Sequence, residues 1–143
     1  MATTDIQSYP PLPKPDDVSR FFWEGCAEHK LLIQRCSQCG RYNHPPRVVC
    51  PGCLGTVLVP TEVSGHGVIS TFTIPLQPYD PYYAGQVPYT LAVVELVEQK
   101  NLKMVTNVVD IDPDDVRIDM SVEVTFKDVA PGVTLPVFRV TAR

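Results

Sequence analysis

The chain has 143 residues, of which 44% are hydrophobic and 20% charged, with 15 prolines and a formal net charge of −4. This length suits one compact domain, or a small module joined to a medium one, and excludes two full-sized domains; the prolines disfavour a helical bundle. No apolar run approaches the roughly 20 residues needed to cross a bilayer, and the first residues lack the basic start and apolar stretch of a leader, so a cytoplasmic protein with no membrane partner is expected.

The charge is uneven. Residues 1–60 hold six Lys/Arg against five Asp/Glu, whereas residues 61–143 hold six against eleven. Nucleic-acid affinity rests largely on neutralising phosphates, so the acidic second part makes a nucleic-acid partner unfavourable.

In chain order, residues 1–15 carry four prolines and little periodicity, which predicts an extended N-terminal arm or a disordered tail. Asp16 or Asp17 can cap a helix in which Val18, Phe21, Phe22 and Cys26 fall on one face, ending between Gly25 and His29. Its aromatic triplet Phe21-Phe22-Trp23 suits docking on a partner subunit or packing on the chain's own ribbon or barrel. Lys30 to Gln34 reads as a strand, and Gly40 to Val49 as a connection.

After Gly55 the chain turns strand-rich. Thr56–Val63 and Val68–Ile74 read as two halves of one coiled strand bent at Gly65-His66-Gly67. Tyr89–Val97, Leu102–Val109, Ser121–Phe126 and Leu135–Thr141 bring the count to five, with one helical turn at Asp112-Pro113 before the fourth. The fold expected is mainly β: an N-terminal helix and zinc ribbon over residues 16–55, then a five-stranded OB-fold barrel over residues 56–143.

The ribbon rests on Cys36-Ser37-Gln38-Cys39 and Cys50-Pro51-Gly52-Cys53, two C-x-x-C pairs ten residues apart. Each pair can fold into a knuckle that aims two thiolates at one point, and two knuckles complete the tetrahedron that Zn²⁺ accepts. Four sulfurs leave no vacancy for water or substrate, so Cys36, Cys39, Cys50 and Cys53 are expected to hold one structural zinc; iron would use the same four ligands. A thioredoxin-type redox pair would need a βαβ context that is missing. Cys26, on the apolar helix face, reads as a buried small hydrophobe ahead of a reactive thiol. His44 would serve as a ligand only if a knuckle failed. Lys30, Arg35, Arg41 and Arg47 surround the site without an intervening acid between residues 29 and 53. They suit coenzyme phosphates or an acidic partner, or they balance the formal −2 charge of a zinc tetrathiolate.

The sequence carries no G-x-S-x-G, H-E-x-x-H, P-loop or G-x-G-x-x-G. Asp110, Asp112 and Asp114 fail as a calcium loop, because Asp115 stands where glycine is required and Ser121 where glutamate is. No catalytic residue is assigned, and the chain is not expected to be an enzyme by itself.

The order of features, Phe21-Phe22-Trp23-Glu24-Gly25, Leu31 to Cys36, the two knuckles, Gly65-x-Gly67, Val94-Glu95-Leu96 and Pro136-x-Phe138, resembles the family termed domain of unknown function 35. The resemblance covers the chain from about Asp17 onward and implies a rubredoxin-like zinc ribbon followed by an OB-fold. Two turns depart from the family pattern, which often has glycine in the turn occupied here by Glu98-Gln99-Lys100-Asn101 and at Asp119. The resemblance further implies a noncatalytic accessory subunit of a thiolase-type, acyl-CoA-converting complex, a hetero-oligomer with a thiolase-like subunit, and a coenzyme A ester as ligand. In such a complex the reacting groups belong to the thiolase-fold partner.

The Pro/Tyr-rich segment Gln77–Tyr89 offers Tyr79, Tyr82, Tyr83 and Tyr89 for an adenine or acyl pocket, for packing on a partner, or for covering the barrel end. Arg41 and Arg47 are the candidate cations for such a ligand. Two further classes stand as alternatives: a single-stranded nucleic-acid-binding module, since zinc ribbons and OB-folds both occur there, and a free-standing acyl-CoA-binding protein.

Overall fold

Asp16 opens the helical segment. Its Oδ1 accepts hydrogen bonds from the N–H of Val18 at 3.0 Å and of Ser19 at 2.8 Å, and regular helix α1 follows over Arg20–Ala27. In the computed structural model, which describes residues 9–142, the expected cap therefore sits one short turn ahead of the helix. Phe22, Gly25 and Cys26 form the buried face. Residues 1–8 of the expected arm lie outside the described residues; residues 9–15 form neither helix nor strand, and Pro10 is buried.

Three strands make the ribbon sheet: β1 (Leu32–Cys36), β2 (Tyr42–Asn43) and β3 (Leu58–Glu62), in the order β2-β1-β3. The antiparallel register of β3 on β1 runs from Leu32 opposite Glu62 to Cys36 opposite Leu58. Here the structure corrects the sequence reading. Thr56–Val63 is not the first half of a barrel strand but the outer strand of the ribbon. Its Pro60 is tolerated because β3 is an edge, where a missing N–H breaks no ladder. Strand β2 lies within the expected connection Gly40 to Val49, which is therefore not plain loop.

The barrel comprises β4 (His66–Thr73), β5 (Thr90–Leu96), β6 (Lys103–Val109), β7 (Ser121–Ala130) and β8 (Val133–Ala142), closed in the order β4-β5-β6-β8-β7. All pairs are antiparallel except β6 with β8. Buried and partly exposed residues alternate strictly along β5, as expected of a strand with one face on the core. Gly65 sits between ribbon and barrel at φ +81, where a Cβ would run into Val124 of β7, so only glycine permits this close turn. The predicted turn before the fourth barrel strand is present over Pro113–Asp115, with the N–H of Asp114 donating to Asp112 Oδ1 at 2.9 Å.

At the two departures from the family pattern the backbone keeps its left-handed form. Asn101 has φ 65 and Asp119 φ 70, and these two residue types tolerate that region better than other non-glycine residues. One hydrophobic core runs through the whole fold. Phe22 and Cys26 of α1, Leu31 and Ile33 of the ribbon, and Ile69, Val94, Leu96, Met104, Val122 and Phe138 of the barrel belong to a single buried cluster. Among the described residues no helix is long and apolar enough to cross a membrane.

Candidate metal centre

The two knuckles share one backbone pattern. In the first, Gly40 N–H donates to Cys36 C=O at 2.9 Å and Cys36 N–H to Arg41 C=O at 2.8 Å; in the second, Leu54 N–H donates to Cys50 C=O and Cys50 N–H to Gly55 C=O, both at 2.8 Å. The residue closing each knuckle is left-handed, Gly40 at φ 78 and Leu54 at φ 65. Glycine adopts this without cost, whereas leucine is strained there.

The four Cys Sγ atoms lie within 4.8 Å of one another, forming the one metal-competent group of at least three His, Cys, Asp or Glu side chains among the described residues. Cys36 and Cys53 sulfurs are 3.5 Å apart and Cys39 and Cys50 sulfurs 3.6 Å. A zinc tetrathiolate with bonds of about 2.3 Å has sulfur–sulfur edges of about 3.8 Å, so the arrangement fits the ion. Cys36 and Cys50 are buried, Cys39 and Cys53 exposed.

Electrostatics agree with a cation at the centre. Backbone N–H from Cys39 pulls the Cys36 thiol below its ordinary range, against an opposing effect of burial. Burial raises Cys50, but N–H groups of Cys53 and Gly52, with the side chains of Cys39 and Asn43, outweigh it and bring Cys50 down to about 6. Cys53 accepts from Gly55 N–H at 3.4 Å. That bond lowers its pKa, yet sharing space with Cys36 and the other two sulfurs drives it up to about 12. Four thiolates this close cannot all be charged without a cation between them. When bound there, Zn²⁺ supplies the charge that makes all four thiolates compatible and fixes the knuckles; with four protein ligands it is structural.

Two glutamine amides, neither of them among the residues expected at the site, brace the loop around the centre. Gln34 Oε1 accepts from Arg47 N–H at 2.9 Å while its Nε2 donates to Arg47 C=O at 2.6 Å. Gln99, on the β5–β6 turn, does the same to Tyr42, at 2.9 and 3.0 Å. Pairings 13 and 57 residues apart leave no local sequence pattern. Asn43 is buried beside Cys50.

The other expected residues separate into groups. Cys26 is fully buried in the core, and burial pushes its thiol up to about 12, as a structural cysteine requires. His44 is not a ligand: it packs on Phe22 with ring centroids 5.2 Å apart. Phe22 is 4% exposed and belongs to the chain's own core, while Phe21 and Trp23 are half-buried against it. Lys30 faces Glu28 at 3.8 Å. Arg35 lies over the Tyr42 ring and donates from Nε to Gly40 C=O at 2.9 Å. Arg41 and Arg47 line a cleft between ribbon and barrel.

Of the tyrosines, three cluster at the barrel end. Tyr83 stacks on Tyr89 and meets Tyr82 edge-on, with centroids 5.0 Å apart in both cases. With Pro10, Asn107 and Lys127 they wall a groove of about 80 Å³. Tyr79 is 86% exposed and lies outside it.

Comparison with known proteins finds the same two modules in the same order. Residues 23–59 match the rubredoxin-like zinc ribbon domain of ChsH2, and residues 60–127 its C-terminal OB-fold domain. A probable enoyl-CoA hydratase alpha subunit of Thermomonospora curvata is 36% identical over 90% of the chain; the chain spans only 39% of that relative's length. A DUF35 domain-containing scaffold protein of Methanothermobacter thermautotrophicus is 33% identical over 71% of this chain and 74% of its own length. Among solved structures, a chain of the Ltp2-ChsH2(DUF35) aldolase superposes with a TM-score of 0.83 at 34% identity, covering 91% of this chain and 99% of that one. The chain belongs to the DUF35 family of zinc-ribbon and OB-fold proteins.

Proposed function

We propose that this chain is a noncatalytic accessory subunit that binds zinc structurally and supports a thiolase-type, acyl-CoA-converting enzyme in a hetero-oligomer. The observation that carries the reading is its likeness, at 34% identity and over 99% of the other chain, to a component of an aldolase complex. The site chemistry is in keeping with it: the metal centre is closed by four sulfurs, and Cys26, the remaining cysteine, is buried with a raised pKa. The reacting groups are then the partner's, and this chain contributes a rigid scaffold. Phe21 and Trp23 are the aromatic candidates for contact, since Phe22 is occupied internally.

Acyl-CoA contact is the finer part of the proposal. The groove walled by Tyr82, Tyr83 and Tyr89 offers flat aromatic faces beside Lys127 and the Asn107 amide, a combination suited to stacking an adenine or enclosing an acyl chain.

The test is co-expression with a thiolase-fold candidate subunit. A stable complex should co-purify, and carbon–carbon cleavage of an acyl-CoA should require both chains. A partner that is fully active by itself and never co-purifies would refute the reading. Saturable, salt-sensitive binding of a labelled single-stranded oligonucleotide by the isolated chain would favour a nucleic-acid module instead. Tight binding of an acyl-CoA with no enzyme partner would favour the free-standing carrier.

A further inference from the structure

The cleft between the ribbon and the β5–β6 turn, about 350 Å³ in volume, is lined by Arg41, Arg47 and Lys100 together with Asn43 and Asn101. No acidic residue lines it. Among the described residues none of the three cations forms an ion pair with a carboxylate. Three positive charges exceed the formal −2 of a zinc tetrathiolate, so balancing the metal centre does not account for all of them. The nearby Arg35 and Lys30 are already engaged, by the Tyr42 ring and Glu28 respectively.

The cleft is also held in shape before any ligand arrives. Gln34 fixes the backbone of Arg47 and Gln99 that of Tyr42, and the Arg41 carbonyl is bonded to Cys36 N–H. The side chains of all three cations remain exposed. Guanidinium forks on a fixed backbone, with an ammonium opposite, match the several oxygens of a phosphoryl group, which accept bidentate and single bonds together.

We propose that this cleft is a binding site for a phosphorylated small molecule, seating a phosphoryl dianion between Arg41, Arg47 and Lys100. It is distinct from the tyrosine groove. That groove includes Thr90, at one end of β5, whereas the cleft includes Gln99 to Leu102, just past Leu96 at the other. Seven strand residues rising about 3.3 Å each separate them by roughly 20 Å. The phosphoryl group can come from a nucleotide-bearing coenzyme or from free phosphate, and the site chemistry is the same.

Calorimetry on the full zinc-loaded chain at physiological salt tests this, with inorganic phosphate, inorganic pyrophosphate and adenosine 3′,5′-bisphosphate as probes. Saturable binding of at least one is expected. Lys100→Gln and Arg41→Gln should each weaken it roughly tenfold, the effect of one lost charge-assisted contact, with zinc content and melting temperature unchanged. Preference for the adenosine bisphosphate identifies a coenzyme headgroup, and equal binding of all three identifies free phosphates; either supports the site. Absence of saturable binding to any probe, or binding that both variants leave intact, overturns it. Because the measurement uses one chain, its outcome is independent of whether a thiolase-fold partner is found.

Discussion

The side-chain amide of Gln99 brackets the peptide of Tyr42, accepting its N–H at 2.9 Å and donating to its C=O at 3.0 Å. A glutamine on a barrel turn thereby supplies the missing neighbour for a ribbon strand only two residues long. Gln99→Ala should destabilise the protein by about 1–3 kcal/mol, since it removes two hydrogen bonds and leaves half-buried backbone groups without partners. Urea denaturation measures this. Gln99→Glu, which keeps the acceptor and loses the donor, should fall between wild type and alanine, and zinc content should not change in either. An unshifted denaturation midpoint for Gln99→Ala would remove the clamp from the account.

Replacing Cys36 or Cys53 by serine should cost zinc, ribbon structure and partner association together. Zinc sites of this kind carry roughly 10 kcal/mol or more of binding free energy that is also folding free energy. Metal analysis, circular dichroism and co-purification read the three properties. Loss of complex activity with metal content and assembly intact would contradict a scaffolding role.

Leu54 is 75% exposed at φ 65, in the position that Gly40 fills in the first knuckle. Leu54→Gly relieves about 1–2 kcal/mol of left-handed strain and loses about 0.4–1 kcal/mol through the greater freedom of the unfolded chain. The variant should be as stable as the wild type or more so by up to about 1.6 kcal/mol. Leu31→Ala, at 2% exposure, should by contrast cost about 2–5 kcal/mol. Thermal denaturation of the two variants side by side checks the contrast.

Burial lowers the pKa of His44 from 6.5 to about 4. The folded state therefore holds it neutral and binds fewer protons than the unfolded chain between those values. Its contribution is fully present above pH 6.5 and is lost as pH falls towards 4, by at most about 3 kcal/mol. Urea midpoints at pH 7 and pH 5, with zinc content monitored to separate thiolate protonation, should show a smaller drop for His44→Phe than for wild type. An equal drop would assign the acid sensitivity elsewhere.

What was legible in the sequence was whatever a short window carries. The C-x-x-C pairs, the β-prone run Tyr89–Val97 that forms β5 and the Asp112-Pro113 turn each encode their geometry within a few residues, and all appear as expected. The pairing of β3 was not legible. Thr56–Val63 is as β-prone as any barrel strand, and only its partner, β1 rather than a barrel neighbour, decides its sheet. The glutamine clamps and Lys100's place in the cleft were hidden for the same reason, since each depends on contacts across the ribbon–barrel boundary. The aromatic triplet showed the limit of helical periodicity: it put Phe22 on the inner face but not what that face would cover.

The single core shared by α1, the ribbon and the barrel has a practical meaning for anyone wishing to divide this protein. Family descriptions meet between residues 59 and 60, which is inside β3. A cut there would sever the strand paired to Cys36 and strip cover from Phe22, Cys26, Leu31 and Ile33. Neither half would inherit a closed surface, so heating or chelation should take the molecule apart in one transition. Two named domains are, thermodynamically, one object.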